Sequence, residues 1–95
     1  MREYEIMLIV DPDADEAALT GVIDRVSGII NGRGGEVKNV DRWGRRRLTF
    51  EINRRTEGQY VVMLFQAEPE AVQQLERGLH LADEVIRHKI VKRAA

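Results

Sequence analysis

A chain of 95 residues, 43% apolar and 33% charged, has enough length for one hydrophobic core, so residues 1–95 are expected to form a single domain with a well-solvated surface. No cysteine occurs, which excludes disulfides, thiolate metal sites and thiol nucleophiles and accords with a reducing compartment such as the cytoplasm. No apolar run approaches the roughly 18 residues of a membrane-spanning helix, and the charged start Met1-Arg2-Glu3-Tyr4-Glu5 is expected not to open a secretory signal. The formal net charge of −1 conceals a strong asymmetry. Residues 42–55 hold six arginines against one acid, Glu51, while the remaining 81 residues hold nine bases and fifteen acids. One basic patch therefore sits on an otherwise acidic domain.

In chain order, Tyr4, Ile6, Leu8 and Val10 alternate with Glu3, Glu5, Met7 and Ile9, which predicts a strand whose second half is apolar on both sides and hence central in a sheet. Asp11-Pro12-Asp13 ends it. Asp13 with Glu16 three residues on is an Asp variant of a capping box, predicting a helix from near Asp15. Leu19, Val22, Ile23, Val26 and Ile30 then form one buried stripe, and Gly32, Gly34 and Gly35 stop it. Residues 36–53 predict a second strand. Its period of two is broken between Val37 and Val40 and again at Gly44 beside Trp43, as at β-bulges, before Leu48, Phe50 and Ile52 alternate strictly. Residues 54–58 are expected to be a hairpin loop, and residues 59–67, apolar on both faces, a third strand inside the sheet. Glu68-Pro69 opens a second helix with Val72, Leu75, Leu79 and Ala82 as its stripe. Val85–Lys92 predicts a last strand.

The order β-α-β-β-α-β is the ferredoxin-like, split βαβ arrangement of the α+β class. Its four-stranded antiparallel sheet has the order 4-1-3-2, with strands one and three central. Right-handed crossovers put both helices on one face. If Ile6, Leu8, Val61, Met63 and Phe65 face the helices, then Met7, Ile9, Tyr60, Val62 and Leu64 face away on an uncovered surface. An apolar surface of that kind usually marks a partner site; cover by a loop or by charged stems is the alternative.

Catalytic and metal-binding patterns are weak. Asp11, Asp13 and Asp15 imitate the start of a calcium loop, but Glu16 stands where glycine is needed and Val22 where a bidentate glutamate is needed, so helix capping explains them better. His80 and His88 fall on different elements without thiols, which leaves no metal signature. Gly32-Arg33-Gly34-Gly35 follows a helix instead of a strand, and so stops a helix and is not a phosphate cradle. No nucleophile stands beside a base and no acid/base pair of carboxylates is evident; the chain does not read as an enzyme, and no cofactor is implied.

The arginines carry the signal. Arg45, Arg46 and Arg47 are consecutive on an edge strand, so Arg46 projects opposite to the other two, and Arg42, Arg54 and Arg55 add charge near both ends. Forked guanidiniums suit a phosphate backbone, and Trp43 beside them is either a stacking platform or a packing residue. The plainer function of edge charges is to block sheet-to-sheet aggregation. A second basic group, Arg87, Lys89, Lys92 and Arg93 with Arg2, either extends the footprint or is salt-bridged to Glu3 and Glu5.

Several segments resemble one family. The start Met1-Arg2-Glu3-Tyr4-Glu5-Ile6, the run from Val37 through Trp43-Gly44-Arg45-Arg46-Arg47-Leu48-Thr49-Phe50-Glu51-Ile52, Glu57-Gly58-Gln59-Tyr60, and Val85–Lys92 are together similar to the sixth protein of the bacterial small ribosomal subunit, over essentially the whole chain. The resemblance implies a ferredoxin-like structural protein of the cytoplasmic ribosome. Such a protein pairs with small-subunit ribosomal protein eighteen and joins the central domain of the small-subunit ribosomal RNA. On matching positions, Arg2, Arg45, Arg46, Arg47 and Arg54 become expected RNA or partner contacts. Adding the rest of the basic patch, the expected RNA-binding set is Arg2, Arg42, Arg45, Arg46, Arg47, Arg54, Arg55 and Lys92. The expected partner-binding set is Trp43, Met7, Ile9, Tyr60, Val62 and Leu64. Two departures are expected: the sequence stops three residues after Lys92, so the C-terminal extension of many members is expected to be lacking, and His88 occupies a place where a small or apolar residue is expected, at a partly buried edge.

Two rival readings share the topology. A ligand-sensing domain that dimerises through the open sheet needs a pocket with convergent polar groups. An RNA-recognition motif needs aromatics on the open face of the central strands, where only Tyr60 qualifies, and an octamer pattern that is absent.

Overall fold

The computed structural model describes residues 1–52 and 54–93, with the side chain of Phe50 outside that description. Its elements are β1 (Arg2–Val10), α1 (Glu16–Gly32), β2 (Glu36–Ile52), β3 (Arg55–Ala67), α2 (Pro69–His80) and β4 (Val85–Lys92). They form one four-stranded sheet of order β2-β3-β1-β4. This is the expected 4-1-3-2 order counted from the other edge. All neighbouring strands run antiparallel, β1 pairing with both β3 and β4.

The core lies between the sheet and both helices. From the sheet come Tyr4, Ile6, Leu8, Val10, Val61, Met63 and Phe65, and from the helices Leu19, Val22, Val26, Ile30, Ala71, Leu75 and Leu79. Ile23 and Val72 of the expected stripes are half-buried and pack against that cluster, whereas Ala82, buried, lies just beyond the end of α2. Tyr4 stacks on Phe65 with centroids 5.5 Å apart. Each large side chain closed to water contributes roughly 1.5–3 kcal/mol, so this one layer dominates the stability.

Local chemistry fixes the element ends. The cap of α1 is Asp15, whose carboxylate accepts from the Ala18 amide at 2.8 Å, instead of the expected Asp13. Asp11 accepts from the Asp13 amide at 2.9 Å, holding the loop so that Asp15 comes to the cap position. Pro69 opens α2 in its first turn, where its missing N–H costs no helical hydrogen bond.

The segment expected as a hairpin loop is mostly strand. Ile52 pairs with Arg55 and Arg47 with Glu57, so the reversal is tight and Arg54 within it takes φ 66°. The predicted last residue of the second strand, Asn53, and the side chain of Phe50, predicted to alternate with Leu48 and Ile52, lie outside the described residues. Bulges interrupt β2 between Val37 and Asn39, between Arg42 and Gly44, and between Arg47 and Ile52. Gly44 takes φ 81°, a backbone conformation open to glycine at little cost.

Candidate nucleic-acid and partner interface

The β2 bulge at Trp43 sorts the arginines onto two faces. Trp43 is the extra residue between Arg42, opposite Val61, and Gly44, opposite Tyr60. Arg42 and Arg45 therefore lie on the helix side. Arg42 reaches Glu16 at 2.7 Å, a bond that holds the Glu16 carboxyl below its usual range and raises Arg42. Arg45 approaches Glu57 at 3.8 Å and donates to the Pro12 carbonyl. Arg55 bonds Asp11 at 2.7 Å; the Asp13 amide first and this guanidinium second hold Asp11 below the ordinary carboxylate value.

Arg46, Arg47 and Arg54 differ from these three. Among the described residues none of them has a carboxylate partner, and all three are exposed. Arg46 turns to the open face and lies over the Trp43 ring, 5.2 Å from its centroid. The indole is parallel to Tyr60 within 4° at 6.3 Å and donates through Nε1 to Asp41 at 3.0 Å. Trp43 is thus part of a built stack and not a bare platform, although it remains 41% exposed.

Across the open face the registers align the side chains in rows. Arg87, Ile9, Tyr60 and Gly44 form one row, and Lys89, Met7, Val62 and Asp41 the next. Leu64 lies one row further, between Glu5 and Asn39. Met7, Tyr60, Val62 and Leu64 are half-buried, but Ile9 is only 8% exposed. This corrects the expectation of a wholly uncovered face with Ile9 free for a partner. Beyond Arg47 the hairpin turns over the sheet, and Leu48, 6% exposed, settles above Ile9 and Gly58. A Cβ at Gly58 would collide with Ile9 Cγ2 and touch Leu48 Cδ2 at 3.7 Å. Glycine at that place lets the hairpin approach its own sheet.

The remaining basic residues do not all join the arginine strand. Arg2 pairs with Ala67 and Lys92 with Tyr4, at the end of the sheet away from Arg47, which pairs with Glu57. Ten residues of β3 separate the two ends, about 33 Å of strand. The sequence-predicted RNA set is therefore split between two ends of the molecule. Among the described residues the suggested salt bridge to Glu3 and Glu5 is made by Arg93 alone, at 3.9 Å to each. Arg87 and Lys89 have no carboxylate partner among the described residues, and with Leu48 they were absent from the predicted set. Their alternation on β4 was the signal that could have placed them on the open face. His88 is half-buried on the helix side of β4 against His80, ring centroids 5.5 Å apart. Burial first, and His80 second, push its pKa below the usual value. Among the described residues no group of His, Cys, Asp or Glu is gathered as for a metal ion.

An α+β sheet with both helices on one side, exposed arginines without carboxylate partners among the described residues on one edge, and a partly covered apolar face on the other side defines a ferredoxin-like domain. The comparisons with known proteins identify the family. The profile of ribosomal protein S6 matches residues 3–92. The small ribosomal subunit protein bS6 of Carboxydothermus hydrogenoformans is 44% identical over 92 residues, covering 97% of this chain and 96% of its own. That of Streptomyces coelicolor is 42% identical over 97% and 96%. The crystal structure of 30S ribosomal protein S6 from Thermotoga maritima superposes with a TM-score of 0.90 at 33% identity, covering 97% of this chain and 87% of that one. The chain belongs to the ribosomal protein S6 family: bacterial proteins of the cytoplasmic ribosome's small subunit, structural and not enzymes.

Proposed function

We propose that the protein binds small-subunit ribosomal RNA through its β2 edge, together with small-subunit ribosomal protein eighteen, as the small subunit assembles and during translation. The observation that carries the reading is the set of three exposed guanidiniums, Arg46, Arg47 and Arg54, without carboxylate partners among the described residues on a domain of net charge −1. Unneutralised guanidiniums projecting from both faces of the β2 edge, at Arg46 and Arg47, and from the reversal beside it, at Arg54, suit the phosphates of an RNA strand that passes that edge. Arg42, Arg45 and Arg55, held by Glu16, Glu57 and Asp11, set the course of the strand, and such exposed pairs are weak enough to exchange a carboxylate for a phosphate. Arg2 and Lys92, at the other end of the sheet, meet a separate stretch of RNA. The protein partner takes the open face, where Trp43, Met7, Tyr60, Val62 and Leu64 supply contact and Ile9 supports them from beneath.

The test is RNA association measured against salt, with and without the protein partner. Each neutralised phosphate adds about 0.7–0.9 to the log–log slope. Arg46→Ala combined with Arg47→Ala is expected to lower that slope by roughly 1.5 with the fold intact by circular dichroism. An unchanged slope contradicts the reading.

A further inference from the structure

The turned-over hairpin and the β4 edge enclose a cavity of about 210 Å³ on the open face. Its apolar wall is Met7, Ile9, Leu48 and Ile52, and Arg87 and Lys89 stand at its rim. We infer that this cavity is an anchor pocket for one apolar side chain, of leucine or phenylalanine size, presented by a partner polypeptide with carboxylates on the adjoining residues. The inference rests on the reading that a protein partner docks on this face, and it specifies the chemistry by which that partner is recognised.

Size comes first. Sites for cofactors and drug-sized ligands occupy roughly 300–1,000 Å³; this cavity is smaller and suits a single buried anchor of the sort that dominates protein interfaces. Its floor is preformed, because Ile9 and Leu48 are 8% and 6% exposed before any partner arrives, so little ordering is needed on binding.

Charge comes second. Among the described residues no Asp or Glu lines the cavity, and neither Arg87 nor Lys89 has a carboxylate partner there. The two are i and i+2 on β4 and share the open face, opposite Ile9 and Met7, so their Cα atoms stand about 6.6 Å apart along the strand. Two cations on one face beside an apolar well complement an apolar residue flanked by acids.

A nucleic-acid base fits the lining less well. Bases are held by stacking and by hydrogen bonds to their edges, whereas the walls among the described residues are mainly aliphatic, and of the two aromatic rings that line them Tyr60 is already parallel to Trp43 and His88 is set edge-on against His80.

The experiment titrates the isotopically labelled full chain with the blocked peptide acetyl-Asp-Leu-Glu-amide, following methyl and amide resonances. Controls replace leucine by alanine, or both acids by lysine, and a fourth probe is oligouridylate. Saturable shifts at Met7, Ile9, Leu48 and Ile52 are expected with the first peptide, and at least tenfold weaker binding with each peptide control. Arg87→Glu with Lys89→Glu, both at exposed positions, is expected to reverse the preference toward the lysine peptide. Equal binding of acidic and basic peptides, shifts confined to the β2 arginines, no saturable shift, or the same methyls moving with oligouridylate instead of peptide would each overturn the inference. Ribosomal RNA association measured on the same samples separates the failures. If it persists while the peptide fails, the pocket assignment falls alone; if it is lost too, the proposed function falls with it.

Discussion

On the helix side of the sheet Ile6, Leu8, Met63 and Phe65 are closed to water and Val61 nearly so. Their immediate sequence neighbours on the other side, Met7, Val62 and Leu64, keep part of their surface in it. The same strands thus carry two apolar faces of similar composition. One is satisfied within the chain by α1 and α2, and the other only in part, by the folded-over end of its own hairpin. The difference teaches that hydrophobic content alone does not distinguish a closed core from a partly open face; what distinguishes them is whether the chain has an element left to cover the face. Both helices are used on one side, and Leu48 is the only other side chain of the described hairpin tip that is buried.

Substitutions on paired positions sharpen that contrast. Phe65→Ala is expected to cost about 3–5 kcal/mol in chemical denaturation, and Leu64→Ala less than half as much; equal costs would mean that the open face is a second core. Gly58→Val drives a side chain into Ile9 and Leu48, and overpacking there is expected to cost about 1–3 kcal/mol while shifting the methyl resonances of the cavity. Asp15→Ala removes the α1 cap and is expected to cost about 1 kcal/mol, leaving the open face unchanged by the same spectra.

Acid supplies a smaller handle on the helix side. The His88 pKa is depressed below its usual 6.5 by burial, then by His80, against an opposing pull from Glu76. A histidine depressed in the folded state binds fewer protons there than in the unfolded chain. Its contribution is therefore complete above pH 6.5 and is lost as pH falls from 6.5 through the folded value. Urea midpoints across that window are expected to fall with acid, and His88→Gln is expected to flatten the slope.

Much of this was legible in the sequence. Alternation in 4–10 and 59–67 and the stripes at Leu19, Val22, Val26, Leu75 and Leu79 specify elements whose order leaves few arrangements, because short-range periodicity reflects burial directly. The bulge at Trp43-Gly44 was visible as a break in period. Two things were not visible. Which arginines are free depends on Glu16, Asp11, Pro12 and Glu57, all but one brought in from distant segments. The covering of Ile9 depends on a register offset between Arg47 and Ile52, and strict alternation at Leu48 and Ile52 is compatible with a strand that continues straight.

The arginine edge is where the account is most exposed to experiment, and cosedimentation with small ribosomal subunits followed by release in a salt gradient tests it most directly. The Arg46→Ala, Arg47→Ala double variant, each position expected to change stability by less than about 0.5 kcal/mol, should be released at clearly lower salt than the unaltered protein while melting at the same temperature. Release at the same salt as the unaltered protein would contradict the claim that these guanidiniums hold the domain in the particle.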